Sequence, residues 1–344
     1  MLLAVAVPWR TAVAHADGQA GAFVWTQWPL SGDVTLTVLA VLGIYLTGAV
    51  RRRKRTPQVA PWRHAVFFTG LAALFLALQS PVDSIAERVY WMHQIQHLLL
   101  RMLGPFLIVF AMPQTAMTAG QPIVVRQRIL APFVGNVMVR GVFGFFAHPV
   151  TATIMFIGTL LLWQWPDYHN LALRDEPLHY LMHISMLLSG LFFWWRVIDL
   201  RPRPLAAPYA ARMLMLWIAL AANIALGAYL FFKRSVLYTA YDNAGRLWGL
   251  DALDDERIGA LILWLPGSMM MVVGVLIVLR LWVQYDSRIQ VPGTPAHAGS
   301  APLALGPAHR LQLAEKNRRL ALALLAFVFL IITVLITLGL IVSG

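Results

Sequence analysis

The chain has 344 residues, of which 59% are hydrophobic and only 12% are charged. Soluble domains carry roughly 25% charged residues, so this chain has too few charges to cover a water-soluble globule. Its mean hydropathy of +0.68 agrees. Composition therefore excludes a soluble enzyme, a nucleic-acid-binding domain and a disordered scaffold. It predicts an all-α polytopic membrane protein, because a spanning segment must satisfy its own backbone hydrogen bonds.

The net charge is +12, from 27 Lys+Arg against 15 Asp+Glu. In a membrane protein such an excess is typical of cytoplasmic loops rather than of a nucleic-acid surface. The chain contains no cysteine, which excludes disulfides, thiolate metal sites and cysteine nucleophiles. Any bound metal must therefore take its ligands from His, Met, Asp or Glu.

Residues 1–33 are predicted to be an exported tail or a partial signal sequence, because a short apolar run precedes two A-x-A sites. Eight apolar stretches follow, and each is long enough, or nearly so, to cross a hydrocarbon core of about 30 Å as a helix. They are 34–50, 64–79, 91–112, 149–165, 178–197, 213–232, 258–282 and 320–342. We expect residues 34–285 to form a seven-helix core. We expect residues 286–308, which are rich in Pro, Gly, Ala and Ser, to form a flexible cytoplasmic linker, and residues 309–344 to carry the last helix.

Charged residues alternate between the loops that join these stretches. The loop after each odd-numbered stretch is rich in arginine, starting with RRRKR at 51–55, and the other loops carry the acids. By the positive-inside rule the arginine-rich loops are cytoplasmic. We therefore predict a multi-pass protein of the cytoplasmic membrane with both termini on the outer side.

Two histidine pairs are the strongest candidates for a binding site. His93 and His97 lie near the start of the third stretch, and His179 and His183 near the start of the fifth. Residues four apart share one helix face, and both helices run inward from the outer side. One pair alone is explained by coincidence or by snorkelling to the interface. Two pairs at one depth favour a metal or cofactor site, because polar groups inside a membrane are costly and usually functional.

Copper is the ion that these side chains favour. Imidazole binds zinc, copper, iron and nickel, whereas thioether sulfur selects Cu(I). Met92, Met182 and Met186 flank the histidines as candidate auxiliary ligands, with packing as the alternative for each. Zinc is the fallback ion. Haem is the main rival, because a bis-His haem needs one histidine from each of two helices.

Two further features carry charge near these stretches. Arg101 lies four residues after His97, well inside the third stretch, where it faces a carboxylate, headgroup water or a partner, or snorkels towards the interface. Asp254, Asp255 and Glu256 immediately precede the seventh stretch. These acids are a candidate metal access point or simply part of the acidic outer loop.

Three segments of the chain resemble the CtaG-like assembly factors of caa-type cytochrome c oxidase, a family of polytopic bacterial membrane proteins. They are HQIQHLLL with GPFL (93–107), LHYLMH with GLFFWW and VID (178–199), and DERIG with LWLPG (255–267). The resemblance implies a factor, not an enzyme, that helps to mature a haem–copper oxidase by supplying copper. Its implied partners are the lipid bilayer, the oxidase subunits and a periplasmic copper chaperone, with no nucleic acid.

A copper or other solute transporter and a haem-binding redox protein are the alternative functions. A transporter should carry polar groups through the whole depth of the bundle. Here the histidine pairs are confined to the outer half, and only Arg101 and Asn223 lie deep in the predicted helices. This distribution favours a site that faces the outer surface.

The charge alternation generates a prediction about topology. A reporter that is active only in the cytoplasm, fused after Gly344, should stay silent because eight spans return the chain to the outer side. Reporter activity in intact cells measures this directly. A bright signal from that fusion would contradict the eight-span arrangement.

Overall fold

The computed structural model describes residues 31–53, 60–79, 81–201 and 206–290, and these ranges contain helices and no strands. The helices are α1 (Gly32–Arg53), α2 (Pro61–Gln79), α3 (Pro81–Ala86), α4 (Tyr90–Ala111), α5 (Gln114–Gly120), α6 (Ile123–Gly135), α7 (Val137–Phe146), α8 (Pro149–Gln164), α9 (Pro166–Ala172), α10 (Glu176–Val197), α11 (Tyr209–Phe232), α12 (Ala240–Ala244) and α13 (Ala252–Gln290). Residues 1–30 of the predicted tail (1–33) and the predicted eighth helix at 320–342 lie outside the described residues. The last two residues of that tail, Gly32 and Asp33, already belong to α1.

Seven long helices alternate in direction through the bundle: α1, α2, α4, α8, α10, α11 and α13. They correspond to the first seven predicted stretches. The start of α1 meets the end of α2, where the Ser31 N–H donates to Gln79. We call the end of the bundle where α4, α10 and α13 begin the histidine end. Helix α4 is central and packs against α2, α10 and α13.

Five of these helices are long and apolar enough to cross a membrane by their length and composition: α1, α2, α4, α11 and α13. Helix α8 is apolar but has only 16 residues, and α10 has 22 residues that include two histidines. Large apolar side chains on the bundle exterior are exposed, as expected of a surface that faces lipid. The chain is therefore a multi-pass membrane protein, and the total of eight spans stays a prediction.

The sequence predicts an arginine-rich loop between α4 and α8. In the structure, helices occupy most of this region. The pair α6 and α7 is apolar and bent by 66°. Two hydrogen bonds show that α8 runs antiparallel to α4. Gln164 donates to Gln94 near the histidine end, and Arg101 donates to the Phe156 carbonyl near the middle of both helices. The chain therefore leaves α4 and enters α8 at the same level, opposite the histidine end, so α6 and α7 make no net crossing.

The last described helix is longer than its predicted stretch. Helix α13 continues to Gln290, so the first five residues of the predicted linker, 286–290, are helical. The sequence between Trp282 and Gln290 has no glycine or proline, and the first helix breaker is Pro292. The rest of the predicted linker lies outside the described residues.

A glycine sets the distance between the two helices that carry histidine pairs. A Cβ atom at Gly190 of α10 would lie 2.2 Å from the backbone oxygen of Arg101 in α4. Any larger residue would push the helices apart, and small residues serve this purpose in membrane bundles. This contact lies further along both helices than the histidines, away from the histidine end. It places α4 and α10 side by side and parallel to each other.

Asp255 of α13 fixes the start of α4. Its carboxylate accepts hydrogen bonds from the backbone N–H groups of Tyr90 (2.9 Å) and Trp91 (3.0 Å). A helix N-terminus leaves such N–H groups unpaired and attracts negative charge. The carboxylate is fully buried and also forms an ion pair with Arg246. Asp255 thereby sets the position of α4 relative to α13.

This contact generates a stability prediction. Asp255→Asn keeps the size of the side chain but leaves Arg246 and the α4 terminus without the buried negative charge. Breaking a buried ion pair from one side costs about 3–5 kcal/mol, so the thermal unfolding temperature in detergent should fall sharply. Asp254→Asn is the matched control, because the Asp254 side chain is 63% exposed. Equal unfolding temperatures for the two variants would contradict the assignment.

Candidate metal centre

Three of the four predicted histidines converge at the histidine end. His93 and His97 of α4 and His183 of α10 each offer a ring nitrogen, and these three nitrogens lie within 4.8 Å of one another. All three side chains are buried. The i, i+4 spacing places two of them on one face of α4, and the close parallel packing of α10 supplies the third.

The fourth predicted histidine, His179, lies at the edge of this triad. Its ring centre is 4.4 Å from that of His183 and 5.5 Å from that of His93. It is less buried than the triad and lies nearer the histidine end of α10. The four imidazoles thus form one cluster, but the closest convergence involves three of them.

Hydrogen bonds fix the proton positions on His93 and His97, the two α4 histidines of the triad. The Nδ1 atom of His93 lies 3.3 Å from the Ala86 carbonyl, which can only accept, so His93 carries its proton on Nδ1. The Nε2 atoms of His93 and His97 are 2.8 Å apart. His97 therefore donates from Nε2 to His93. This leaves the Nδ1 of His97 and the Nε2 of His183 buried without a partner in the described structure.

A fifth histidine, His169 of α9, lies beside the triad and was missed by the sequence reasoning. Its ring centre is 5.0 Å from that of His93. Its Nδ1–H donates to the Trp163 carbonyl and its Nε2 accepts from the Tyr241 hydroxyl, both at 2.8 Å. Burial lowers the pKa of His169 to about 4. Both ring nitrogens already have partners, so this neutral histidine lines the site and does not offer a ligand atom.

The sequence contained one indication of His169: it lies just after the fourth apolar stretch, on the same acidic side as the histidine pairs.

The flanking methionines lie in apolar clusters. Met182 and Met186 are fully buried with Trp163, Ala172 and Leu178. Met92 packs against a cluster of Ile85, Val89 and Leu247. The structure therefore gives these thioethers packing partners, and a role as auxiliary ligands stays a prediction.

The acids before α13 have structural partners. Glu256 is fully buried, accepts from the Leu237 and Tyr238 N–H groups and pairs with Lys233. Asp255 caps α4, and only Asp254 is open to solvent, where it pairs with Arg257. A role as metal access point stays a prediction for these acids, but two of the three carboxylates are engaged in holding helices together.

A different acidic group lies close to the histidines. Gln96 of α4 donates to Asp83 of α3 at 2.6 Å. Burial and the nearby Glu87 raise the pKa of Asp83 to about 7, although the bond from Gln96 opposes the shift. Burial and Glu176 also raise the pKa of Glu87. The sequence pointed to acids at 254–256, whereas the folded chain gathers others beside the two histidine helices.

The donor set fits a soft or borderline metal ion. Three neutral imidazoles, two of them with unpartnered nitrogens, suit copper or zinc, and buried polar atoms without partners call for a ligand. Ligation would also give His93 the usual outer contact of a metal-bound histidine, a ring N–H that donates to a backbone carbonyl. In this case the acceptor is Ala86.

Comparisons with known proteins identify relatives of unknown activity. An uncharacterized protein of Mycobacterium leprae is 27% identical over 276 residues, covering 78% of this chain and 41% of that protein. An uncharacterized protein of Mycobacterium bovis and one of Mycobacterium tuberculosis are each 23% identical over 279 residues, covering 77% of this chain and 41% of theirs. The chain thus spans about two fifths of the length of these curated relatives. No solved structure matches it.

One family accounts for most of the described chain. The profile of the family described as cytochrome c oxidase caa3 assembly factor matches residues 43–285. The matched region contains both histidine pairs and α13 up to its last turns. The protein therefore belongs to the caa3-type cytochrome c oxidase assembly factor family.

Proposed function

We propose that the protein is a non-catalytic assembly factor that holds Cu(I) at His93, His97 and His183 and passes it to a haem–copper oxidase on the outer side of the membrane. The main support for this proposal is the buried triad, whose three ring nitrogens lie within 4.8 Å of one another. Family membership supports the oxidase as recipient. Copper is the cargo in this proposal, and the oxidase carries out the redox chemistry.

The triad suits a metal that is held and then released. When a metal binds, the hydrogen bond between His93 and His97 is replaced by bonds to the metal. The distance of 2.8 Å between their Nε2 atoms must then increase. Two ligands at about 2.0–2.1 Å from one tetrahedral ion lie about 3.3 Å apart. Three protein ligands leave a coordination position open, through which a recipient can take the ion. His179 lies beside the triad as a first contact for incoming or departing copper.

The position of the triad supports delivery to a surface partner over transport through the bundle. The deep polar side chains are engaged in contacts between helices. Arg101 donates to the Phe156 carbonyl at 2.9 Å, and Asn223 donates to the Leu263 carbonyl at 3.0 Å. A through-path needs polar groups that remain available below the site. The described helices instead bury apolar side chains there, including Phe106, Phe156 and Trp194.

The proposal predicts which histidines set copper content. The double variant His93→Ala/His97→Ala should lose bound copper, because it removes both ligands that α4 contributes. On α10, His183→Ala removes a proposed ligand and should lower Cu(I) affinity by more than about tenfold. Losing a residue that only supports a ligand already costs about that much. His179→Ala should have the smaller effect. Elemental analysis and competition with a Cu(I) chelator on the purified protein measure both quantities.

The control is His148→Ala, which removes an exposed histidine outside the site. Wild-type copper content in the double variant would contradict the proposed centre. An absorption spectrum of the same preparation tests the haem alternative, because bound haem absorbs strongly in the visible range whereas Cu(I) does not.

A second prediction concerns the oxidase. Deleting the gene for this chain should lower haem–copper oxidase activity in membranes at low copper, without changing transcription of the oxidase subunits. Added copper should restore part of the activity, because mass action replaces directed delivery. Oxygen consumption by isolated membranes is the measurement.

Complementation provides the matched comparison. A gene copy carrying His148→Ala should restore oxidase activity, whereas the copy carrying His93→Ala/His97→Ala should not. Normal oxidase activity in the deletion strain at low copper would count against an assembly role for this protein.

A further inference from the structure

Helices α6 and α7 carry an apolar surface that the rest of the described chain does not cover. Val134, Val137 and Met138 are all more than half exposed, and so are Ile123 and Phe145. Exposed apolar surfaces of this kind mark contacts with a membrane or with another protein. The position of the two helices and the charges on them indicate which of these covers the surface.

Two contacts hold α6 and α7 at the end of the bundle opposite the histidine end. Arg51, near the end of α1, donates to the carbonyls of Ala119 and Gln121, immediately before α6. The ring centre of Phe192, in the second half of α10, lies 5.6 Å from that of Phe143 in α7. Both α1 and α10 end at this side of the bundle, which the charges of the loops predict to be cytoplasmic.

The bend between α6 and α7 leaves two short helices. Asn136 follows the end of α6, and its side-chain oxygen accepts hydrogen bonds from the N–H groups of Met138 (2.8 Å) and Val139 (3.3 Å), which caps the start of α7. At 1.5 Å per residue, α6 is about 20 Å long and α7 about 15 Å. Each helix is thus shorter than a hydrocarbon core of about 30 Å. The pair either lies along the membrane surface or dips into the membrane and returns.

Three arginines decide between these two arrangements. Arg126 and Arg128 of α6 and Arg140 of α7 are exposed, and no carboxylate of the described residues forms an ion pair with them. The sequence contains no Asp or Glu between Glu87 and Asp167. An unpaired charge is costly in hydrocarbon, so such side chains reach the headgroups. The arginines lie near the middle of α6 and in the first turn of α7, which keeps both helices near the headgroups.

We propose that α6 and α7 lie along the membrane surface and bind the headgroups of anionic phospholipids through Arg126, Arg128 and Arg140. The guanidinium group donates two parallel N–H bonds to phosphate oxygens, and the lipid supplies the negative charge that this part of the chain lacks. The exposed apolar side chains contact the upper parts of the acyl chains. This surface lies away from the proposed copper site and does not depend on it.

The lack of cysteine in the sequence allows a single fluorescent label to test this surface. The full chain carrying Val137→Cys, one helical turn from Arg140, is labelled and reconstituted in mixed vesicles of phosphatidylglycerol and phosphatidylcholine. One of the two lipids is brominated in each series. Because bromine quenches a fluorophore only on contact, the two series give the relative affinity of the anionic and the zwitterionic lipid at this position.

We expect phosphatidylglycerol to be preferred at least about fivefold at low salt, because one arginine near an anionic surface contributes about that factor. The preference should fall as ionic strength rises. Leu181→Cys is the matched label position, since Leu181 is an exposed apolar residue of α10 near the histidine end. A label there should show no preference, although it meets the same mixture of lipids. This comparison needs no arginine variant to fold.

Arginine variants in the Val137→Cys chain identify the groups that bind the lipid. Arg140→Gln should lower the preference, and Arg126→Gln/Arg128→Gln/Arg140→Gln should bring it to about one. Arg174→Gln is the control for Arg140→Gln, because it removes one exposed charge near the histidine end and should leave the preference unchanged.

Three results would overturn the proposal. The first is equal quenching by the two lipids at Val137, and the second is a preference that survives loss of all three arginines. The third is a label at Val137 that neither brominated lipid quenches, because a partner protein or a second copy of the chain then covers this surface.

Discussion

The buried carboxylate of Asp255 is the contact on which the histidine centre depends. It accepts the first backbone N–H groups of α4 and pairs with Arg246, so that α13, α4 and the loop before α13 meet at one point. His93 follows Tyr90 by three residues, less than one helical turn. Any change in where α4 begins would therefore rotate and displace both of its histidines. Glu256, the next residue, ties the end of α11 to α13 in the same way.

The histidine centre combines ring nitrogens that lack hydrogen-bond partners with neighbouring residues whose polar atoms are hydrogen-bonded. One wall of the site has a hydrogen-bond partner for almost every polar atom, and it is formed by His169, Tyr241, Tyr238 and Gln164. Beside this wall, His97, His179, His183 and Gln94 each have a buried nitrogen with no partner among the described residues. This contrast is what a binding site requires, because polar networks that are satisfied hold their geometry and those that are not satisfied attract a ligand.

Membership of the oxidase assembly family and the proposed copper site support each other through position. The buried histidines lie at one end of the described bundle, close to the acids Asp83 and Glu87. The polar side chains deeper in the bundle, such as Arg101 and Asn223, are engaged in contacts between helices. A site at the histidine end can exchange its cargo with a partner at the membrane surface. The match covers 41% of the length of the Mycobacterium leprae protein.

Sequence alone determined the class of the fold and the identity of most candidate ligands. Low charge content and apolar stretches require helices in lipid, and i, i+4 spacing requires each histidine pair to share a helix face, whatever the packing. The three family segments rest on the same local patterns. For this reason the amino-acid order was sufficient to single out His93, His97 and His183, and to bound six of the seven described long helices to within four residues. The exception is α13, which is longer than its predicted stretch at both ends.

Only tertiary structure decided what these side chains meet. The approach of α10 to Arg101 at Gly190 and the contact between His169 and Tyr241 each join residues that lie far apart in the chain. The sequence left the acids at 254–256 as either a metal access point or part of the acidic outer loop. Spacing cannot reveal that Asp255 is buried against a helix terminus about 165 residues away. Periodicity fixes which face a residue occupies, whereas packing between distant helices fixes its partner, its burial and its protonation.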